Sequence, residues 1–107
     1  MQLGIGLLQQ GYHVNLISDR VGEQIASGRV LPSQSMYDMA LGFECELGLS
    51  YWDDVCPSTS GVHIRGGNGE GLLVNWRARM KAPGQSVDQR IKIPRWMEEF
   101  QRQGGSC

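Results

Sequence analysis

The sequence of 107 residues predicts a small α/β domain carrying an antiparallel β-hairpin, and three stretches predict it. The first runs from Leu3 to Gly11 and on from His13 to Arg20. It reads as a short helix, a glycine stop, a buried strand and a carboxylate at the strand's end. The second is Leu72–Lys81, where apolar and polar residues alternate behind a glycine-rich run. The third is Gln85–Gly104, which leads into a helix with an aromatic face. The first stretch has the order of the back half of a βαβ nucleotide-binding unit. The first strand and phosphate loop of such a unit belong before Met1 and are expected to be missing.

Leu3, Ile5, Leu7 and Leu8 make residues 2–10 apolar on more than one face, the pattern of a buried helix. Gly4 and Gly6 each cost about 1 kcal/mol relative to alanine in a helix and suit a close approach to another backbone. Gly4-Ile5-Gly6 is not the start of a G-x-G-x-x-G fingerprint, because residue 9 is Gln and no strand precedes it. Gly11 supplies the stop. Val14–Ile17 is apolar enough for an interior parallel strand. Asp19 then stands where dinucleotide-binding units place an acid that accepts hydrogen bonds from the adenosine ribose; the plainer alternative is a cap or turn residue.

Gly22–Pro32 reads as loop with a helical turn at Glu23–Ala26. Ser35 and Asp38 fit a capping box. Met36, Ala40, Phe43 and Leu47 form a stripe at helical spacing, ended by Gly48. Ser50–Ser60 is a turn-rich connection in which Trp52 and Asp53 show no readable chemistry. Val62-His63-Ile64 and Leu72–Lys81 are the two arms of a half-exposed hairpin, with His63 on its solvent side. Gly66–Gly71 is its turn. That run lacks the Lys-Ser/Thr of a P-loop, and no helix N-terminus follows it to hold phosphate. Pro83-Gly84 predicts a turn. Pro94 suits the first turn of a final helix, in which Trp96, Met97 and Phe100 form the apolar face and Gly104-Gly105 the stop.

Composition fits one ordinary globular domain, 40% hydrophobic and 20% charged. Net charge is −1, with basic residues scattered apart from a mild cluster at Arg77, Arg79 and Lys81. Nucleic-acid binding needs a concentrated basic face and is disfavoured. No apolar run approaches the ~20 residues of a membrane span, and no basic residue precedes the first apolar stretch as in a secretory leader. Cys45, Cys56 and Cys107 lack C-x-x-C spacing, and His13 and His63 are remote from them. Reduced cysteines in a cytoplasmic protein without a zinc site are expected. No catalytic constellation of nucleophile and base emerges.

Taken together, Leu3–Gly11, Val14–Arg20, Gly28–Leu31, Ser86–Arg90 and Trp96–Phe100 resemble the N-terminal part of the oxygenase component of two-component styrene monooxygenases. These enzymes belong to the flavin hydroxylase class with the p-hydroxybenzoate hydroxylase fold. The resemblance runs along nearly the whole chain, and its strength lies in the order and spacing of motifs that are only moderately specific one by one. It implies a partial Rossmann-like FAD-binding domain. It implies that reduced FAD arrives from a separate flavin reductase and that one oxygen atom of O2 passes to a small aromatic alkene or indole-like substrate, giving an epoxide. The flavin carries the hard step and the protein positions it. By the same resemblance Asp19 lies at the adenosine ribose with Arg20 beside it. Arg29 leads into the second helix and faces the flavin and its phosphates, where a guanidinium can bind bidentately. Ser33 lies near the flavin ring, with Pro32 departing from the family's small polar residue, and Gln89 and Arg90 open the helix that approaches the pyrophosphate.

The whole of residues 1–107 is therefore expected to be an incomplete FAD-binding domain, a fragment without its phosphate loop and substrate-binding domain. It is expected to hold FAD weakly and not to turn over, and a homodimer is admissible. Two other readings stand beside this one: a non-enzymatic α/β interaction module, and another FAD- or NAD-dependent oxidoreductase such as a flavin halogenase.

Overall fold

A computed structural model describes residues 1–31 and 34–107. It is a mixed helix-and-strand structure, with helices α1 (Gln2–Gln9), α2 (Gly22–Ala26), α3 (Asp38–Glu46) and α4 (Gln89–Arg102), and strands β1 (Gln34–Met36), β2 (Thr59–Asn68) and β3 (Gly71–Val87). The strands form one antiparallel sheet in the order β1-β3-β2. The helices gather at one end of the sheet, and most of β2 and β3 projects as a two-stranded arm. The molecule measures 58 × 31 × 22 Å.

The core lies where α1, the α3–β2 connection and α4 meet. Ile5, Leu49, Trp52, Val87, Trp96 and Phe100 are buried together, with Met1, Leu8, Val14, Leu16 and Ile91 packed around them. Phe100 sits at its centre between two glycines. A Cβ on Gly4 would come within 3.1 Å of its ring, and one on Gly105 would overlap it. The close approach expected of Gly4 is thus to a side chain, not to a backbone.

All three predicted glycine stops are in place. Gly11, Gly48 and Gly104 have positive φ values of 85°, 72° and 95°, a conformation that costs glycine nothing. Each makes the paired bonds of a Schellman cap. Tyr12 N–H bonds to Leu7 C=O and Gly11 N–H to Leu8 C=O; Leu49 and Gly48 repeat this on Glu44 and Cys45, and Gly105 and Gly104 on Phe100 and Gln101.

Several expectations are corrected. Val14–Ile17 is not a strand. Only Asn15 pairs, in a single parallel bridge with Ser106, and Ile17 is 97% exposed; with a one-residue partner no ladder can extend. Ser35 does not cap α3, because it pairs with Ser86 in β1 and the N-cap is Tyr37, with no side-chain cap bond. The expected stripe holds at Met36, which is buried, and at Ala40 and Leu47, which are half-buried, but fails at Phe43, which is exposed while its neighbour Glu44 is buried. Pro83-Gly84 is not a turn but part of β3. Pro83 falls in the irregular register between the Thr59–Gly84 and Gly61–Arg79 pairs, where its missing N–H removes no ladder bond.

The hairpin is longer than predicted and closes through Gly69-Glu70, with Asn68 Oδ1 accepting from the N–H groups of Glu70 and Gly71. Helix α4 starts five residues before Pro94. Asp88 is its N-cap and accepts from Arg90 N–H at 2.8 Å, so Pro94 lies inside the helix and leaves the Arg90 carbonyl without its intrahelical donor.

Candidate functional site

The parallel bridge defines the most site-like region. Leu16 N–H donates to Ser106 C=O at 2.8 Å, and Ser106 N–H donates to Val14 C=O at 3.1 Å. Both segments then run into one cleft of about 600 Å³. Leu16, Ile17, Ser18 and Arg20 line one side, and Met97, Glu98 and Gln101 of α4 line the other. The Ser18 hydroxyl shapes the bend beyond it, donating to Arg20 C=O at 2.8 Å and accepting from Arg20 N–H at 3.2 Å. Asp19 stands on this bend, 86% exposed, with its Oδ2 3.6 Å from Arg20 Nε.

Of the expected site residues only Arg20 lines this cleft; Asp19 stands beside it in the chain without lining it, and Arg29, Gln89 and Arg90 do not converge on it. Arg29 is exposed in the connection after α2 and leads into no helix, since β1 intervenes before α3. Ser33, like Pro32, lies outside the described residues. Gln89 and Arg90 do open α4, as expected, but the cleft is lined by the later residues of that helix. Arg90 is occupied by Asp88, with Nη2–Oδ2 at 2.8 Å, whereas the Gln89 Nε2 is buried without a hydrogen-bond partner.

The Asp88–Arg90 pairing has a consequence in acid. Side-chain and backbone hydrogen bonds from Arg90 hold the Asp88 carboxyl below its ordinary range, and Arg102 with Gln103 does the same for Glu99. A depressed carboxylate contributes stability that is present above the unfolded pKa and lost as pH falls through the folded one. Thermal midpoints followed by circular dichroism are expected to fall as pH drops below about 4, and Asp88→Asn is expected to flatten part of that slope.

One convergence of charge escapes the sequence. Glu44 and Lys92 form an ion pair buried on all sides, at 0% and 2% exposure. Trp52 Nε1 donates to the second Glu44 oxygen at 3.1 Å. The Lys92 ammonium lies 4.7 Å from the centroid of Trp96 and 5.7 Å from that of Trp52, within cation–π range of both rings. The i,i+4 spacing of Lys92 and Trp96 is the one readable signal of this arrangement. The cluster takes no part in lining the cleft between Leu16 and Gln101. Its chemistry is that of a clamp joining α3, the following loop and α4.

Among the described residues no three of His, Cys, Asp and Glu are placed to hold a metal ion, and no helix is long and apolar enough to cross a membrane. Cys45, Cys56 and Cys107 are unbonded to one another. No family model matches the chain, and none of the curated proteins matches it.

Proposed function

We propose that the chain is the adenosine-end part of an FAD-binding domain of Rossmann-like type, from a two-component monooxygenase that epoxidises styrene- or indole-like substrates with reduced FAD delivered by a flavin reductase. The observation that carries this reading is the α1–Gly11–bridge–Asp19 sequence of features: a capped helix, a segment in parallel pairing, and an acid beside a cleft at that segment's carboxyl end. The donor set fits the adenosine half. The exposed Asp19 carboxylate suits vicinal ribose hydroxyls, Arg20 adds a cation, and Leu16, Ile17 and Met97 offer apolar wall. Gln89, whose Nε2 is buried away from the cleft, adds nothing to that fit. Neither do Arg29, remote in the β1 approach, and Arg90, satisfied by Asp88.

When bound, reduced FAD supplies the oxygen chemistry; the side chains here bind, orient and exclude water. The test is a titration with FAD read by quenching of flavin fluorescence. Binding is expected, and Asp19→Ala is expected to weaken it about tenfold through loss of charged hydrogen bonds. Absence of binding, or affinity indifferent to Asp19, overturns the reading. One observation favours a second reading, an interaction module. Val62, Ile64, Val74 and Trp76 lie half-exposed on a single face of the arm, and an apolar face of that kind marks contact surfaces.

A further inference from the structure

The arm of β2 and β3 concentrates charge that is scattered in sequence. Arg65, Arg77, Arg79 and Lys81, four of the ten Lys and Arg, lie on it against one carboxylate, Glu70 at its tip. Of the six body cations, Arg20, Arg90, Lys92, Arg95 and Arg102 each pair with a carboxylate and Arg29 does not, and among the described residues none of the four arm cations does. Register places Arg77 opposite His63 and Arg79 opposite Gly61. Residues two apart share a strand face, so the two arginines project together, about 7 Å apart along the strand; Gly61 opposite Arg79 sits tight against the Ala78 carbonyl, which a Cβ would approach to 2.7 Å.

His63 Nε2 lies 2.6 Å from Asn75 Oδ1. Arg77 Nε lies 3.4 Å from the same ring nitrogen, and which of the two contacts that nitrogen serves depends on the imidazole tautomer. In either tautomer the two Nη groups of Arg77 remain as a fork for an outside partner. A groove of about 630 Å³ at the foot of the arm is lined by Ser58, Ser60, His63, Arg77 and Arg79, with no carboxylate.

We propose that this groove binds a phosphate group carried on a small molecule. A carboxylate has two oxygens and one charge, and a single guanidinium fork satisfies it. A phosphate has enough oxygens and charge to take a fork from each arginine at once, with oxygen left for the serine hydroxyls. The site is separate from the Asp19 cleft, so its failure and that of the flavin reading are distinguishable.

The test is a titration with inorganic pyrophosphate at low ionic strength, followed residue by residue in ¹H–¹⁵N spectra. Shifts are expected at Gly61, His63, Arg77 and Arg79 and not at Asp19. Arg77→Gln and Arg79→Gln are each expected to weaken binding about tenfold or more. Arg79→Lys keeps the charge but not the fork, and is expected to fall between them and the wild type. Both side chains are solvent-facing, and unchanged circular dichroism separates lost binding from lost folding. Absent shifts at these positions overturn the proposal. So does succinate binding as well as pyrophosphate, or binding confined to an oligonucleotide.

Discussion

Glu44→Ala is expected to destabilise the protein by about 3–5 kcal/mol, the cost of leaving a buried partner charge uncompensated. Lys92 is inside the molecule, and after the substitution its ammonium faces two indole rings with no anion. Trp52 Nε1 loses its acceptor in the same step, a further unmade buried hydrogen bond. Small domains have about 5–15 kcal/mol in total, so the variant loses a large share of it. Urea denaturation followed by tryptophan fluorescence measures the effect. The double variant Glu44→Met with Lys92→Met removes both charges and is expected to lie well above the single variant, held below the wild type by the Trp52 Nε1 that still lacks an acceptor. A Glu44→Ala midpoint equal to that of the wild type would show that the pair is open to water.

Phe100→Ala is expected to cost about 3–5 kcal/mol, transfer and cavity terms together. The ring is fully buried and faces α1 across Gly4 and the chain's last turn across Gly105. Gly105→Ala approaches the same point from the opposite direction. Its methyl would overlap the ring, and overpacking of this kind costs about 1–3 kcal/mol. Combining Gly105→Ala with Phe100→Leu is expected to cost less than the sum of the two single changes, because the smaller side chain vacates the space the methyl needs. Strict additivity in thermal unfolding would falsify that coupling.

Much of this fold is legible where one residue governs a local conformation. Gly11, Gly48 and Gly104 announce helix ends because only their backbones enter the left-handed region cheaply, and all three hold in the structure. Alternation from Leu72 to Lys81 announces the hairpin, and Trp96, Met97 and Phe100 announce the buried face of α4. Legibility fails where the outcome depends on a distant partner. Val14–Ile17 has the composition of a strand, yet pairing is decided by Ser106, ninety-one residues after Asn15, and one bridge is all that forms. The face of α3 is decided by Lys92, forty-eight residues from Glu44, which draws a carboxylate inward and leaves Phe43 exposed. At the candidate site Asp19 and Arg20 are readable because they are local to one bend. The facing wall of Met97, Glu98 and Gln101 is not, since nothing in α4 marks which of its residues look toward that bend.

The projecting arm also governs how the protein moves through solution. A compact chain of this length has a radius of gyration of about 13 Å, and this one has 17.5 Å. A single copy therefore drags somewhat more than a sphere of its mass, leaving a sizing column slightly early and tumbling slowly about its short axes. An elution volume read against globular standards is expected to overstate the mass modestly, where light scattering, which weighs the particle, reports 11.9 kDa.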